Sequence, residues 1–239
     1  MDLTNLPLKD GETAEELFDD KIIIQNVSLY RFTSDSILLS RFARAKLHDD
    51  VADFCSGSGA VGFHFLCLNN HINSLTLFEL QHSLADMSRR TALANGFDVK
   101  FDVKVEEGRL QDISLEYDGK FSLILCNPPY ERGGFDNSCY ERAICRKEIT
   151  ITLEEIISVA SKKLKFGGRL AIINRADRTA ELFYTMKKYG IEPKRMQFVK
   201  GSQNSTPYLI MAEGVKGGKP SIEILPTIVN TPENGGSSR

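Results

Sequence analysis

The sequence predicts an α/β fold built on a mostly parallel sheet, and three observations carry that reading. From Val51 onward, short apolar runs alternate with stretches of helical length in the β-α-β manner. A glycine-rich turn, Cys55-Ser56-Gly57-Ser58-Gly59, stands between the first of those strands and its helix. Two later helical stretches run into single glycines, Gly96 and Gly190, the residue type that most easily takes the left-handed turn past a helix end.

Taken in order, residues 1–20 carry little periodicity and read as a loose or helical lead-in. Residues 22–25 and 29–32 read as two short strands around a turn at 26–28. Ser34 caps a helix whose apolar face carries Ile37, Leu38, Leu39, Phe42 and Ala43. Strand 51–54, helix 60–68, strand 75–79, helix 83–95 and strand 100–105 follow. Residues 121–126 read as an apolar strand, buried through Leu123-Ile124-Leu125-Cys126. Thr152-Leu153-Glu154-Glu155 then opens a helix as a capping box, the hydroxyl and the carboxylate each satisfying a free amide, and Gly167-Gly168 stops that helix. Strand 169–173, helix 177–189 and strands 196–199 and 208–213 close the sheet, with 221–229 as a further edge strand. Residues 231–239 read as a frayed tail. The expected organisation is a lead-in over 1–20, one domain over 21–229 with an N-terminal hairpin and helix, and a flexible tail over 230–239.

The bulk composition is that of a globular protein: 239 residues, 41% hydrophobic and 26% charged. No apolar run approaches the roughly 20 residues a membrane helix needs. The acidic start lacks the basic region of a secretory signal, so a cytoplasmic location is expected. Five cysteines, an odd number without a Cys-x-x-Cys pair, argue against a disulfide framework and a zinc site, and no metal is expected. A net charge of −2 does not advertise a nucleic-acid binder. Any such field must come from local clusters: Arg41, Arg44 and Lys46; Arg132, Arg142, Arg146 and Lys147; or Lys187, Lys188, Lys194, Arg195 and Lys200. Each cluster reads equally well as a solvated face.

Glycines at a strand-to-helix turn let backbone approach a ligand, and the free helix amides favour an anionic or carboxylate group. Glu79 ends the second parallel strand, where an acid can accept hydrogen bonds from both hydroxyls of a ribose. Together they imply a nucleoside-containing cofactor without choosing between hydride and methyl transfer. Asn127-Pro128-Pro129-Tyr130, at the carboxyl end of the apolar strand, makes that choice. Two prolines fix a rigid turn that can aim the Asn127 side-chain oxygen and the Pro128 carbonyl at one point, as acceptors for the two hydrogens of an exocyclic amine. Tyr130 can stack on the base. Held between such acceptors, the amine nitrogen becomes more tetrahedral and its lone pair points at a sulfonium methyl, so catalysis is mostly positioning and electrostatics.

With these residues in place, the chain over roughly 20–229 resembles the bacterial methyltransferases that act on N6 of adenine 37, beside the anticodon of a valine tRNA. The likeness rests on Ile24-Gln25-Asn26, Tyr30 through Leu39, Glu79-Leu80-Gln81 with Ala85-Asp86-Met87 and Arg89-Arg90, and the segment 209–217, besides the two loops. It implies a class I methyltransferase fold, Rossmann-like, with a seven-stranded, mostly parallel sheet and an antiparallel closing strand. S-adenosyl-L-methionine is the implied cofactor and the anticodon loop of a tRNA the implied partner. By that resemblance Asp53, Gly57 and Gly59 contact the methionine part of the cofactor, Glu79 and Leu80 its ribose side, and Asp112 its adenine. Thr33 and Asp35 close over the methionine end, and Asn127, Pro128, Pro129 and Tyr130 form the catalytic turn. Cys55 departs from the pattern at the first glycine place of the loop, and Arg109 stands where an acid often follows Gly108. The segment 131–147, with Phe135 and Tyr140 among its basic residues, suits an RNA contact or a surface lid.

The same catalytic turn also serves enzymes acting on guanine N2, DNA adenine or a protein glutamine. The glutamine enzymes usually carry a helical N-terminal domain and the DNA enzymes a target-recognition domain, and no segment here is left for either, whereas another RNA site, such as an rRNA base, meets no comparable exclusion. A non-catalytic RNA-binding relative is expected to have lost Asn127, Tyr130 or Glu79, and a dehydrogenase reading leaves Asn127-Pro128-Pro129-Tyr130 unexplained.

Overall fold

A computed structural model of the chain describes residues 8–29, 32–129 and 151–231. Its centre is a nine-stranded sheet flanked on both faces by helices. In chain order the elements are β1 (Glu12–Phe18), β2 (Lys21–Asn26), α1 (Ser34–Phe42), β3 (Asp50–Phe54), α2 (Ala60–Leu68), β4 (Ser74–Glu79), α3 (His82–Asn95), a single turn α4 (Phe97–Lys100) and β5 (Asp102–Glu107). They continue with β6 (Phe121–Cys126), α5 (Leu153–Lys163), β7 (Leu164–Arg175), α6 (Thr179–Lys188), β8 (Ile191–Lys200), β9 (Pro207–Lys216), β10 (Glu223–Ile224) and β11 (Ile228–Val229).

The strand order is β10-β8-β9-β7-β6-β3-β4-β5, with β11 also on β8. Seven strands form the body of the sheet, and β9 alone runs antiparallel to its neighbours. This is the sheet the sequence predicts, with the edge expected over 221–229 reduced to two dipeptide pairings, Glu223–Ile224 and Ile228–Val229, both parallel to β8. The chain builds outward from β3 through β4 to β5, then crosses back to lay β6 on the other side of β3. The crevice at such a reversal, beyond the carboxyl ends of the strands, is where open α/β sheets bind ligands.

Strands buried on both faces read as continuous apolar runs, and β6 shows why. Leu123 and Leu125 pack with Phe63, Phe65 and Leu66 of α2 in one layer. Ile124 and Cys126 point the other way, into a layer with Ile156, Ile157 and Ala160 of α5 and with Leu182 and Met186 of α6.

Three local expectations are corrected. Residues 12–18, read as a loose or helical lead-in, are a strand paired with β2, so the hairpin turns at Asp19-Asp20, and residue 29 lies in no second strand. Of the expected strand 100–105, the first residue closes the turn α4 and β5 begins at Asp102. The helix opened by the Thr152–Glu155 capping box ends at Lys163 and not at Gly167-Gly168. The Lys163 ammonium is buried and donates to the carbonyls of Ile113 and Ser114 and to Asp118 at 2.5 Å, which fixes the chain there and starts β7 at once.

The hairpin is fastened to α3. Ile22 donates to Asn95 Oδ1 at 2.9 Å, Asn95 Nδ2 donates back to the Ile22 carbonyl at 2.7 Å, and Ile24 donates to Thr91 Oγ1 at 3.0 Å. These side chains satisfy the strand edge that β1 leaves open, a common protection of an edge strand. Arg90 clamps the outer strand through a two-bond contact with Glu12, both bonds at 2.6 Å. At the opposite end of the chain Asn230 donates to Ser34 Oγ and to the Tyr208 hydroxyl, each at 3.0 Å. Arg195 donates to the Phe42 carbonyl, and Arg169 to the Arg44 carbonyl and to Asp49, so α1 and the loop after it are held by the last third of the sequence.

Replacing Asn95 with alanine strands the two backbone groups of Ile22. Asn95→Ala is expected to lower the unfolding free energy by about 2 kcal/mol, the cost of leaving buried polar groups unpaired. Urea denaturation against wild type measures it.

Candidate active site

The register pair Phe54↔Cys126 places the turn after β3 beside the turn after β6. Between them opens a cleft of about 390 Å³, a volume suited to a cofactor-sized molecule. Its floor is the glycine turn. Gly57 and Gly59 lie at φ +58° and +91°. A side chain on Gly59 would place Cβ 2.4 Å from the Phe63 ring, whereas one on Gly57 would meet nothing within 4 Å. Gly59 is therefore needed for packing, and Gly57 leaves its backbone open towards the cleft. Cys55 also lies at positive φ, +56°, which accounts for glycine at that place in the usual loop: a side chain there costs about 1–2 kcal/mol.

Two buried carboxylates hold this turn. Glu79 accepts from Gly57 N and from Gln81 N, both at 2.8 Å. Burial pushes its carboxyl up, against the lowering effect of these amides. A carboxylate offers about four lone-pair sites, so Glu79, on the cleft wall, retains acceptor capacity beyond the amides of its own turn. Asp53 lies one layer deeper, fully enclosed, with Oδ2 accepting from Gly62 N at 2.9 Å and Oδ1 without a partner among the described residues. Burial, opposed by the Gly62 amide and reinforced by the charge of Glu79, raises its pKa to about 8. The Ser56 hydroxyl, on the cleft wall, is also buried without a partner among the described residues. The Glu79 carboxyl beside an open glycine turn, with apolar Phe78, Leu80 and Val61 on the same walls, suits a nucleoside with a cationic tail.

Of the residues expected from the sequence, Thr33, Asp35, Cys55, Gly57, Glu79, Leu80, Asn127, Pro128 and Pro129 line this cleft together. Thr33, and not Ser34 as the sequence suggests, caps α1, its hydroxyl accepting from Asp35 N at 3.4 Å, and Ser34 is the first residue of the helix. Asp53 lies beneath the loop, Gly59 is the loop residue packed against Phe63 and is not part of the lining, and Asp112 is an exposed residue of a 3-10 turn outside the lining. In its place the strip Gly108 to Gln111 faces the cleft, Arg109 included. Ser36, Phe78 and Gln81 also line it and were not singled out by the sequence. Phe78 was legible in principle as the wall-facing neighbour of Glu79, whereas nothing in the sequence separates Ser36 from an ordinary residue of a first helical turn. Tyr130 and the segment 131–147 lie outside the described residues.

The expected basic cluster at 187–200 is not a bare patch. Lys187 pairs with Glu192 at 3.3 Å and Lys188 with Glu154 at 2.7 Å. Lys194 and Lys200 donate to the carbonyls of Lys219 and Gln203, and Arg195 is buried 4.4 Å from the Phe42 ring centre. Among the described residues no helix is long and apolar enough to cross a membrane.

A doubly wound sheet of seven strands with one antiparallel member, a glycine turn, an acid ending the second strand and Asn127-Pro128-Pro129 after the fourth define a class I, S-adenosylmethionine-dependent methyltransferase. The methyltransferase small domain profile matches residues 33–189, and the chain belongs to that family. A tRNA1(Val) (adenine(37)-N6)-methyltransferase of Porphyromonas gingivalis is 27% identical over 189 residues, covering 77% of this chain and 73% of that protein. Among solved structures, a predicted O-methyltransferase from Agrobacterium tumefaciens is 19% identical with a TM-score of 0.65, over 82% of this chain and 86% of its own. P. horikoshii TYW2, in complex with MeSAdo, is 12% identical with a TM-score of 0.61, over 88% of this chain and 73% of its own. Both share the fold.

The raised pKa of Asp53 has a sign that can be tested. Its unfolded value is 3.8 and its folded value about 8, so its contribution to stability is full below pH 3.8 and is lost as pH rises through 8. Asp53→Asn keeps an acceptor for Gly62 N and removes the titration. In thermal melts of the cofactor-free protein between pH 5 and pH 8, its melting temperature is expected to fall less than that of wild type. Equal falls would show that Asp53 does not titrate there.

Proposed function

We propose that the enzyme transfers the methyl group of S-adenosylmethionine to the exocyclic N6 amine of an adenine in tRNA, adenine 37 of a valine tRNA. The observation that carries this reading is the place of Asn127-Pro128-Pro129, at the carboxyl end of β6 and on the wall of the same cleft as the glycine turn and Glu79. The name and 27% identity of the P. gingivalis relative support the tRNA and its position.

Bound S-adenosylmethionine supplies a methyl group on a positively charged sulfur. Glu79 is assigned to the ribose hydroxyls, because it has acceptor capacity left after holding the amides of Gly57 and Gln81. Gly57 lets backbone come close, and Asp53 stays beneath as a fixed negative or neutral support for the loop. Asn127 Oδ1 and the Pro128 carbonyl are assigned to the two amine hydrogens. They would draw the nitrogen lone pair out of conjugation with the ring and turn it towards the transferable methyl group. The cationic nitrogen then loses one proton to solvent, and no strong base is required. Stacking on the base is assigned to Tyr130 from its place in the motif alone. An adenine in an anticodon loop is already single-stranded, so presenting it costs less than extruding one from a duplex.

Transfer of labelled methyl to unmodified total tRNA, followed by nucleoside analysis, tests the reading. N6-methyladenosine is expected with wild type, and Asn127→Ala is expected to lower turnover by about a hundredfold while leaving cofactor affinity within a few-fold. Wild type that labels no adenine overturns the reading, and label in protein glutamine would replace it. Glu79→Gln should behave in the opposite way. It sets a side-chain N–H against a loop amide and removes a charged acceptor, so calorimetry should show cofactor binding weakened by roughly tenfold or more.

A further inference from the structure

We infer that Ser36 is a positioning residue for methyl transfer: its hydroxyl engages the nitrogen end of the Asn127 carboxamide and so turns the oxygen end to the target amine. The inference rests on the reading of the site given above. Asn127 Nδ2 donates to Ser36 Oγ at 3.3 Å, a contact spanning 91 positions of sequence. Ser36 is 3% exposed and lines the cleft from the first turn of α1. Its own backbone is fixed there, its amide donating to the Thr33 carbonyl at 3.1 Å. Among the described residues the carboxamide oxygen of Asn127 makes no hydrogen bond, which leaves it for a donor in the cleft.

A carboxamide is planar, with donors at one end and an acceptor at the other, and a half-turn about its last bond exchanges the two at little steric cost. The two orientations are not equivalent for this chemistry. An exocyclic amine presents N–H donors, so only the oxygen end can bind it, while the nitrogen end sets donor against donor. The prolines after Asn127 fix the backbone but do not choose between these two states of the side chain. Ser36 anchors the one seen here, its oxygen accepting from the nitrogen end while the oxygen end is left to the cleft. Without that hydroxyl the carboxamide loses this anchor, and a fraction of the enzyme presents it displaced or with the wrong end forward.

The test measures single-turnover methyl transfer to unmodified tRNA and the cofactor dissociation constant, using the full-length chain. Ser36→Ala is expected to slow transfer by about tenfold, the worth of one hydrogen bond, with cofactor affinity changed by less than about twofold. Ser36→Thr, which keeps the hydroxyl, should retain more of the rate than Ser36→Ala. In the Asn127→Ala background the carboxamide is absent, so adding Ser36→Ala should cost nothing further. The inference is overturned if Ser36→Ala transfers at the wild-type rate, if rate and cofactor affinity fall together, or if the loss is the same in both Asn127 backgrounds. Should Asn127→Ala itself show no turnover, Ser36→Thr decides, and a rate no better than that of Ser36→Ala overturns the proposal. A wild-type enzyme that methylates no adenine overturns the underlying reading as well. An active wild type with an unaffected Ser36→Ala removes only the role of Ser36.

Discussion

The pairing of β3 with β6 is the constraint on which the rest depends. Because the chain goes out to β5 before returning, two strands far apart in sequence become neighbours, and the turns that leave them face each other across one crevice. Every group assigned to chemistry is placed relative to that pair: Glu79 on the strand beside β3, Gly57 in the turn after it, Asn127 in the turn after β6. The requirement also explains composition. Strands in the middle of such a sheet have no wet face, so β6 is apolar from Leu123 to Cys126, with the one polar residue before that run, Ser122, paired with the Asp50 backbone, and polarity returns abruptly at Asn127.

The glycine turn is unusual in how it is supported. A backbone with three positive φ values in five residues would be a poor conformer in isolation, and a cysteine occupies the first of them. Two buried acids compensate from below, one by accepting from Gly62 and the other from Gly57 and Gln81. Their neighbourhood raises both pKa values, so the loop is held partly by groups whose charge is costly before a cationic ligand arrives. Ser88 adds a bond from α3 to the Gly57 carbonyl at 3.0 Å, which links the loop to the helix that carries the N-terminal hairpin.

Most of the sheet and the helix starts were legible because their causes are local. Apolar runs marked β3, β4 and β6, the Thr152–Glu155 box marked α5 to the residue, and Gly96 marked the end of α3 by taking the left-handed conformation. What escaped is what tertiary contacts decide. Glu12 to Glu16 contain three acids and one alanine, a poor strand composition, and only Arg90 and the edge of β2 make a strand of them. Lys163 looks like the exposed last turn of a helix that continues, yet three oxygens from a loop about 50 residues earlier capture it. In the cleft, residues fixed by motif were found, whereas Ser36 and Gln111 depend on how a helix and a 3-10 turn are brought up to the motif, which no spacing records.

The anchoring of α1 bears on the order in which the protein is made. Its first turn, with Thr33, Asp35 and Ser36, is held through Ser34 by Asn230, a contact across 196 positions, and its far end by Arg195 and Arg169, across 153 and 125. A ribosome has therefore released the glycine turn, Glu79 and Asn127 long before the residues that fix the remaining wall emerge. Loop closure over such distances is slow and comes late. The nascent chain holds its catalytic turn well before it holds a finished cleft, and an arrested or truncated product lacking the last strands would carry every motif of the enzyme with one wall still loose.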